Sequence, residues 1–233
     1  MDPCCATDLE TGFDAGVAAR DLAAYRKDGL PADQRRLLAT LIADGVDGRT
    51  VLDIGGGIGA IHHELLGAGA RSVTDVDGST AYLGVAQQEA RRQGHIDRID
   101  YRHGDFVQLA DDIEPADIVT LVRVLCCYRD MPALVRASAR RARHSYGVIY
   151  PRSTWWMRAA ARAYGAVRPA TGPVSGPGYV HPEQEVDATV RREGFTPVVT
   201  DSTWYWRVAL YRRSAADDFG VSSGDRAPRG RRN

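Results

Sequence analysis

The hydrophobic positions of the chain fall into short apolar runs that alternate with longer stretches of helical periodicity. Short apolar runs bounded by turn residues are typical of buried parallel strands, and apolar residues three or four positions apart are typical of helices. We predict strands at residues 50–54, 72–77, 99–103, 116–125 and 145–150, and helices between them at residues 58–66, 79–94 and 131–143. This alternation predicts an α/β fold with a Rossmann-like, doubly wound and mostly parallel sheet.

The two ends of the chain depart from this alternation. Residues 14–27 and 31–45 have helical patterns, so we predict that residues 1–45 form N-terminal helices, which either make a lid over a ligand site or cover the edge of the sheet. A helix at residues 182–193 precedes a closing antiparallel hairpin at residues 196–212, which brings the predicted sheet to seven strands. The main domain then spans residues 46–213, and the polar residues 214–233 are predicted to form a disordered tail.

A substrate-side insert is predicted at residues 151–181, which follow the fifth strand and hold a Trp-Trp pair and a segment rich in Pro and Gly. Ligands of open α/β sheets bind at the carboxyl ends of the strands, so the insert lies on the functional side. We predict substrate contacts for Arg152, Trp155 and Tyr179. The arginine suits a carboxylate or phosphate, and aromatic rings suit a flat or apolar small molecule.

A glycine-rich turn follows the first predicted strand, in the sequence TVLDIGGGIGA of residues 50–60. Gly55, Gly57 and Gly59 stand where the backbone turns tightly and approaches a ligand closely. The pattern G-x-G-x-G is that of S-adenosylmethionine binders. With Ala60 in the last position, however, the turn also meets the dinucleotide fingerprint. The turn alone therefore leaves an NAD-type oxidoreductase open.

The motifs around the turn decide between the two ligand classes. Asp53 lies inside the first strand, the second strand SVTDVD ends at Asp77, and the third runs into Gly104-Asp105-Phe106. An apolar fourth strand and the closing antiparallel hairpin follow. This succession resembles the class I S-adenosylmethionine-dependent methyltransferases over residues 50–213. The resemblance implies S-adenosylmethionine as the cofactor and methyl transfer as the activity.

The resemblance also implies a set of cofactor-binding residues: Asp53, Gly55, Gly57, Gly59, Asp77, Gly78, Asp105, Phe106 and Arg123. Asp77 is expected to accept hydrogen bonds from the ribose hydroxyls, with Asp75 as the alternative two residues earlier. Asp53 is expected to order the glycine turn. Asp105 matches the family position that contacts the adenine amino group, with Phe106 beside the ring.

Methyl transfer from a sulfonium needs alignment and exclusion of water, and it needs a base only if the acceptor carries a proton. The candidates for that role are Tyr128, which follows the fourth strand, and His181, which precedes Pro182. The segments CCYRDM, YPRSTWWMR and YVHP are similar to those of the magnesium-protoporphyrin O-methyltransferase branch. This similarity implies a small-molecule O-methyltransferase, and no metal site is predicted.

Two further functions stay open at this stage. The chain has two vicinal cysteine pairs, Cys4-Cys5 and Cys126-Cys127, and thiols at one pocket mouth suit a thiophilic metalloid such as trivalent arsenic. The second alternative is a regulator that binds S-adenosylmethionine without turnover.

The composition of the chain bears on which classes of partner it can have. The formal net charge is +0, with 30 basic and 30 acidic residues, which gives no field to gather nucleic acid. No apolar run is long enough to span a bilayer, and the acidic start MDPCCATDLE lacks the features of a signal peptide. We therefore expect a cytoplasmic protein whose partner is a small-molecule methyl acceptor, with neither nucleic acid nor membrane as a partner.

Overall fold

A computed structural model describes residues 12–159, 163 and 178–214 of the chain. The predicted tail beyond residue 214, the pair Cys4-Cys5 and most of the Pro/Gly-rich segment lie outside the described residues. The strands are β1 (Thr50–Ile54), β2 (Ser72–Asp77), β3 (Ile99–His103), β4 (Ala116–Val122), β5 (Ala142–Pro151), β6 (Phe195–Ser202) and β7 (Trp206–Arg213). They form one sheet in the order β3-β2-β1-β4-β5-β7-β6.

The helices are α1 (Ala15–Asp28), α2 (Ala32–Asp44), α3 (Ala60–Gly67), α4 (Thr80–Gln93), α5 (Phe106–Leu109), α6 (Met131–Arg140) and α7 (Glu183–Arg192). Their ends follow ordinary capping chemistry. The Asp14 side chain accepts hydrogen bonds from the amides of Gly16 and Val17 at the start of α1. Gly94 ends α4 in the left-handed conformation. The predicted helices are all present, with bounds that differ by a few residues.

The sheet has five parallel strands and an antiparallel end. β1 pairs in parallel with both β2 and β4, whereas β7 pairs antiparallel with β5 and with β6. The prediction of a mostly parallel, seven-stranded, Rossmann-like sheet with an antiparallel hairpin is thereby confirmed. The strand order reverses between β1 and β4, and a crevice forms at the carboxyl ends of strands at such a point.

The fourth strand is shorter than predicted. The apolar run continues to Leu125, but β4 ends at Val122 because Arg123 takes a left-handed backbone conformation with φ 64°. A 3₁₀ turn over Leu125–Cys127 follows. The turn points the segment after β4 back over the carboxyl edge of the sheet instead of extending it.

The two N-terminal helices have different neighbours. Leu37 and Leu41 of α2 are fully buried in a core with Ile149 and Leu210 from the sheet, so α2 covers the sheet. Leu22 of α1 instead belongs to a small cluster with residues that flank the glycine turn. Helix α2 thus covers the sheet, whereas α1 packs beside the glycine turn.

Candidate cofactor and substrate site

A cavity of about 620 Å³ opens at the carboxyl ends of β1, β2 and β4. Its size lies within the range of small-molecule sites. The glycine turn, the ends of β2 and β4 and the helices α1 and α2 contribute to its wall. The sequence-predicted residues that line it are Asp53, Gly55, Gly57, Asp77, Gly78, Asp105, Phe106, Arg123 and Tyr128.

The glycine turn is held in a conformation that requires glycine. Gly55, Gly57 and Gly59 all have positive φ, at 65°, 59° and 82°. A Cβ on Gly55 would lie 2.5 Å from Cγ2 of Val124. A Cβ on Gly57 would have only the Tyr82 ring within 4 Å, at 3.6 Å. Gly57 lines the cavity, so this side of the backbone is open to a ligand. Gly59, predicted as a cofactor contact, lies behind the turn against two histidines and does not line the cavity.

Asp77 ties the glycine turn to the end of β2. Its Oδ2 accepts a hydrogen bond of 2.9 Å from the amide of Gly57, and its Oδ1 accepts one of 2.8 Å from the amide of Ser79. Burial raises the pKa of Asp77 above its ordinary value, although both amide hydrogen bonds oppose the rise. Each carboxylate oxygen has a second lone pair, so the side chain keeps acceptor capacity for two hydroxyls at the cavity.

Asp53 and Asp75 lie beneath the turn. Oδ1 of Asp53 accepts a hydrogen bond of 2.7 Å from the Thr120 hydroxyl, and Oδ2 lies 3.0 Å from Nδ1 of His62. Asp75 is fully buried and does not line the cavity, so Asp77 and not Asp75 faces a ligand there. Burial, followed by the neighbouring carboxylates of Asp53 and Asp77, raises the pKa of Asp75 well above its ordinary value.

Asp105 and Tyr128 form a pair at the cavity wall. The Tyr128 hydroxyl donates to the Asp105 carboxylate, with distances of 3.2 and 3.1 Å to its two oxygens. Asp105 also caps α5 by accepting a hydrogen bond of 3.0 Å from the amide of Val107. We predict an adenine contact for Asp105 and a role towards the acceptor for Tyr128. Their hydrogen bond places the two side chains on one side of the cavity.

The guanidinium of Arg123 has two partners, Asp33 and Trp206. It forms a two-pronged ion pair with Asp33 of α2, with Nη2 2.9 Å and Nε 3.2 Å from Oδ2. The guanidinium also lies 4.5 Å from the ring centroid of Trp206. Arg123 therefore connects the end of β4 with the N-terminal helices and the closing hairpin.

Besides Gly59, four predicted residues lie outside the cavity: Arg152, Trp155, Tyr179 and His181. Nε2 of His181 lies 3.0 Å from the carbonyl oxygen of Leu125 and 2.9 Å from that of Tyr128, so this nitrogen carries a proton and donates it. The amide of Tyr179 donates to the carbonyl oxygen of Cys126 at 2.7 Å. His181, one of the two residues predicted as a possible base, thus attaches the insert to the 3₁₀ turn through Nε2.

The insert and the hairpin turn share an exposed aromatic surface, which we define as Trp155, Trp156 and Trp204. Trp156 and Trp204 stack with a centroid distance of 6.4 Å and an interplanar angle of 11°. Nη1 of Arg152 donates to the carbonyl oxygen of Thr203 at 3.3 Å, beside this surface. Arg152, Trp155 and Tyr179, the predicted substrate residues, all lie outside the cavity.

Helix α1 supplies site residues that the sequence analysis did not identify. The Tyr82 hydroxyl donates to Oδ2 of Asp21 at 2.5 Å, and the Tyr25 hydroxyl donates to Oε1 of Glu64 at 2.8 Å. Asp21, Tyr25 and Tyr82 all line the cavity. Asp21 and Tyr25 are four residues apart and share one helix face, and this spacing is the one signal in the sequence that pointed to them.

Comparisons with known proteins agree with this geometry. Residues 51–145, about two fifths of the chain, match the family model described as a methyltransferase domain. The chain contains a methyltransferase domain. No curated protein sequence matches the chain.

Solved structures extend the similarity over the fold. A magnesium protoporphyrin IX methyltransferase from Synechocystis PCC 6803 with bound SAH is 24% identical, with a TM-score of 0.70 over 89% of this chain and 99% of that one. The same enzyme with bound SAM gives 23% identity, a TM-score of 0.67 and coverages of 92% and 98%. An O-methyltransferase family protein from Burkholderia thailandensis is 15% identical, with a TM-score of 0.63 over 88% of this chain and 64% of that one.

The domain match and the fold together confirm three predictions: the class I methyltransferase resemblance, the S-adenosylmethionine-dependent methyltransferase class and the cofactor. They argue against an NAD-type oxidoreductase. Among the described residues, no helix is long and apolar enough to cross a membrane. Within the same ranges, no group of three or more His, Cys, Asp or Glu side chains is placed to hold a metal ion.

Proposed function

We propose that the protein methylates an oxygen atom of a flat, largely apolar small molecule in the cytoplasm. The observation that carries this proposal is the position of the exposed aromatic surface next to the cofactor cavity, on the carboxyl edge of the sheet. Trp206 connects the two, since it lies over Arg123 of the cavity wall and starts the strand that follows Trp204. Flat aromatic area beside a closed cofactor site favours a planar acceptor.

The residues of the cavity fit S-adenosylmethionine. The open face of Gly57 leaves room for the ligand beside the backbone, and Asp77 keeps acceptor capacity for the ribose hydroxyls. We assign Asp105 to the adenine side. Tyr128 then belongs to the same side, because its hydroxyl donates to Asp105. Tyr128 thus positions the cofactor and does not act on the acceptor.

S-adenosylmethionine supplies a methyl group that is already activated by its sulfonium. The protein's own contribution is alignment and exclusion of water. Helix α1 is held to α4 through Asp21 and to α3 through Tyr25, and we assign it the role of a lid beside the glycine turn. The insert contributes the aromatic surface and Arg152, which we assign to an anionic group of the acceptor.

The experiment is a turnover screen with S-adenosylmethionine carrying a labelled methyl group, offered planar carboxylic acids, phenols and matched amines. We expect the label in an ester or ether of a planar compound. Trp155→Ala and Arg152→Ala should lower turnover about tenfold or more and leave affinity for S-adenosylhomocysteine unchanged. Label only in amines, or equal loss of affinity and turnover in these variants, would contradict the proposal.

A further inference from the structure

The wall of the cofactor cavity carries two adjacent cysteines that the methyl-transfer site does not use. Cys126 and Cys127 lie in the 3₁₀ turn that follows β4, both are partly buried, and both are free thiols. Cys127 lines the cavity. Their sulfur atoms are 3.9 Å apart.

That separation suits one soft ligand held by both sulfur atoms. Metal–thiolate bonds of about 2.3 Å allow two sulfurs on one centre to lie up to about 4.6 Å apart. The 3.9 Å between the two thiols is within this span without movement of the backbone. A disulfide, by contrast, requires the sulfurs to approach to about 2.05 Å.

The number of protein ligands at the pair determines which thiophilic species it can hold. No third His, Cys, Asp or Glu of the described residues joins the pair in a metal-binding group. Zinc prefers four such ligands and is a poor match. A trivalent arsenical with one organic substituent has two valences left, which two thiols fill.

The surroundings favour reaction at Cys127. A hydrogen bond from the Cys126 thiol lowers the pKa of Cys127, although burial and the Asp77 carboxylate act against it. The pKa of Cys126 is raised, chiefly by the same contact. Thiolates are the reactive form of cysteine, and Cys127 is the member of the pair that lines the cavity, so Cys127 attacks first and Cys126 follows.

We propose that Cys126 and Cys127 form a two-sulfur binding site for thiophilic trivalent arsenicals in the wall of the cofactor cavity. With phenylarsine oxide the step is a condensation. Two As–S bonds form, and the arsenic-bound oxygen leaves as water with the two thiol protons. No electron transfer is required. The site does not depend on the identity of the methyl acceptor.

The test uses phenylarsine oxide and the reduced full-length chain with Cys4→Ser and Cys5→Ser, which removes the other vicinal pair. We expect one arsenical per chain by intact mass. The adduct should survive excess glutathione, a monothiol, and be removed by dimercaptopropanol, a dithiol. Cys126→Ser and Cys127→Ser should each lower the retained adduct about tenfold or more, with the melting temperature and affinity for S-adenosylhomocysteine measured on the same samples.

Two further readouts keep the test decisive if a serine variant fails to fold. Trypsin, which cleaves after Arg123 and Arg129, should release residues 124–129 with the arsenical attached. Saturating S-adenosylhomocysteine should slow the reaction, since Cys127 lines its cavity. Retention of the adduct in a folded single variant, its location on another peptide, or a reaction rate insensitive to S-adenosylhomocysteine would overturn the proposal. A failure of methyl transfer to any acceptor would not affect it.

Discussion

Replacement of Tyr128 by phenylalanine tests whether the hydroxyl serves the cofactor or the acceptor. Its distances to Asp105, 3.1 and 3.2 Å, exceed the most frequent O–H···O distance of about 2.7–2.8 Å. Hydrogen bonds to charged groups contribute about 1.5–3 kcal/mol, and the long distances place this one at the lower end. A loss of about 1.5 kcal/mol corresponds to roughly tenfold weaker cofactor binding. We expect the adenine side to become less ordered, since Asp105 keeps its cap on α5 and its long contact with Gln108 but loses the Tyr128 hydroxyl.

Calorimetry with S-adenosylhomocysteine measures this loss, and turnover at saturating cofactor shows whether anything else changes. Tyr179→Phe is the matched control, because Tyr179 is exposed and lies outside the cavity. The control should alter affinity by less than about twofold. Unchanged affinity in Tyr128→Phe together with a large fall in saturated turnover would refute the reasoning and return Tyr128 to the acceptor.

Three other substitutions address the turn and the carboxylates under it. Gly57→Val should abolish cofactor binding in calorimetry because a branched side chain enters the open face of the turn at φ 59°, whereas Gly84→Val, with no neighbour within 4 Å, should bind normally. Asp77→Ala should weaken binding by about 1–3 kcal/mol, and equal affinity would remove it from the ribose site. The stability that the neutral Asp75 carboxyl contributes is complete below its ordinary pKa of 3.8 and is lost as the pH rises through its raised folded value. The melting temperature of Asp75→Asn should therefore rise relative to that of the wild type as the pH increases above 3.8, and a difference that stays constant with pH would contradict this.

The framework of the fold could be predicted because hydrophobic pattern and turn chemistry agree along most of the chain. β3 spans Ile99–His103, as predicted, and β1 spans Thr50–Ile54, where the apolar run stops at the first glycine. The end of β4 was wrong by three residues. Val124 and Leu125 continue the apolar run, and nothing in the local sequence marks the left-handed backbone of Arg123, whose guanidinium is held by Asp33, 90 residues away.

The cofactor side of the site could be predicted better than the acceptor side for a related reason. Glycines and strand-end carboxylates have roles set by the local backbone, and Gly57 and Asp77 indeed meet through a hydrogen bond. The roles of His181 and Arg152 depend on distant partners. Both side chains contact backbone carbonyl oxygens, at Leu125 and Thr203, which carry no signature in the sequence.

The contacts of Arg123 have a consequence for how the protein is made. Its guanidinium is enclosed by Asp33, from the beginning of the described chain, and by Trp206, from its last strand. A ribosome delivers the glycine turn and Asp77 long before Trp206, so the Arg123 guanidinium, which lines the cavity, lacks one of its two neighbours until the closing hairpin is made. Because a ligand stabilises the state that binds it, we expect S-adenosylmethionine to stabilise the completed fold, in which Arg123 is held on both sides, more than the nascent chain.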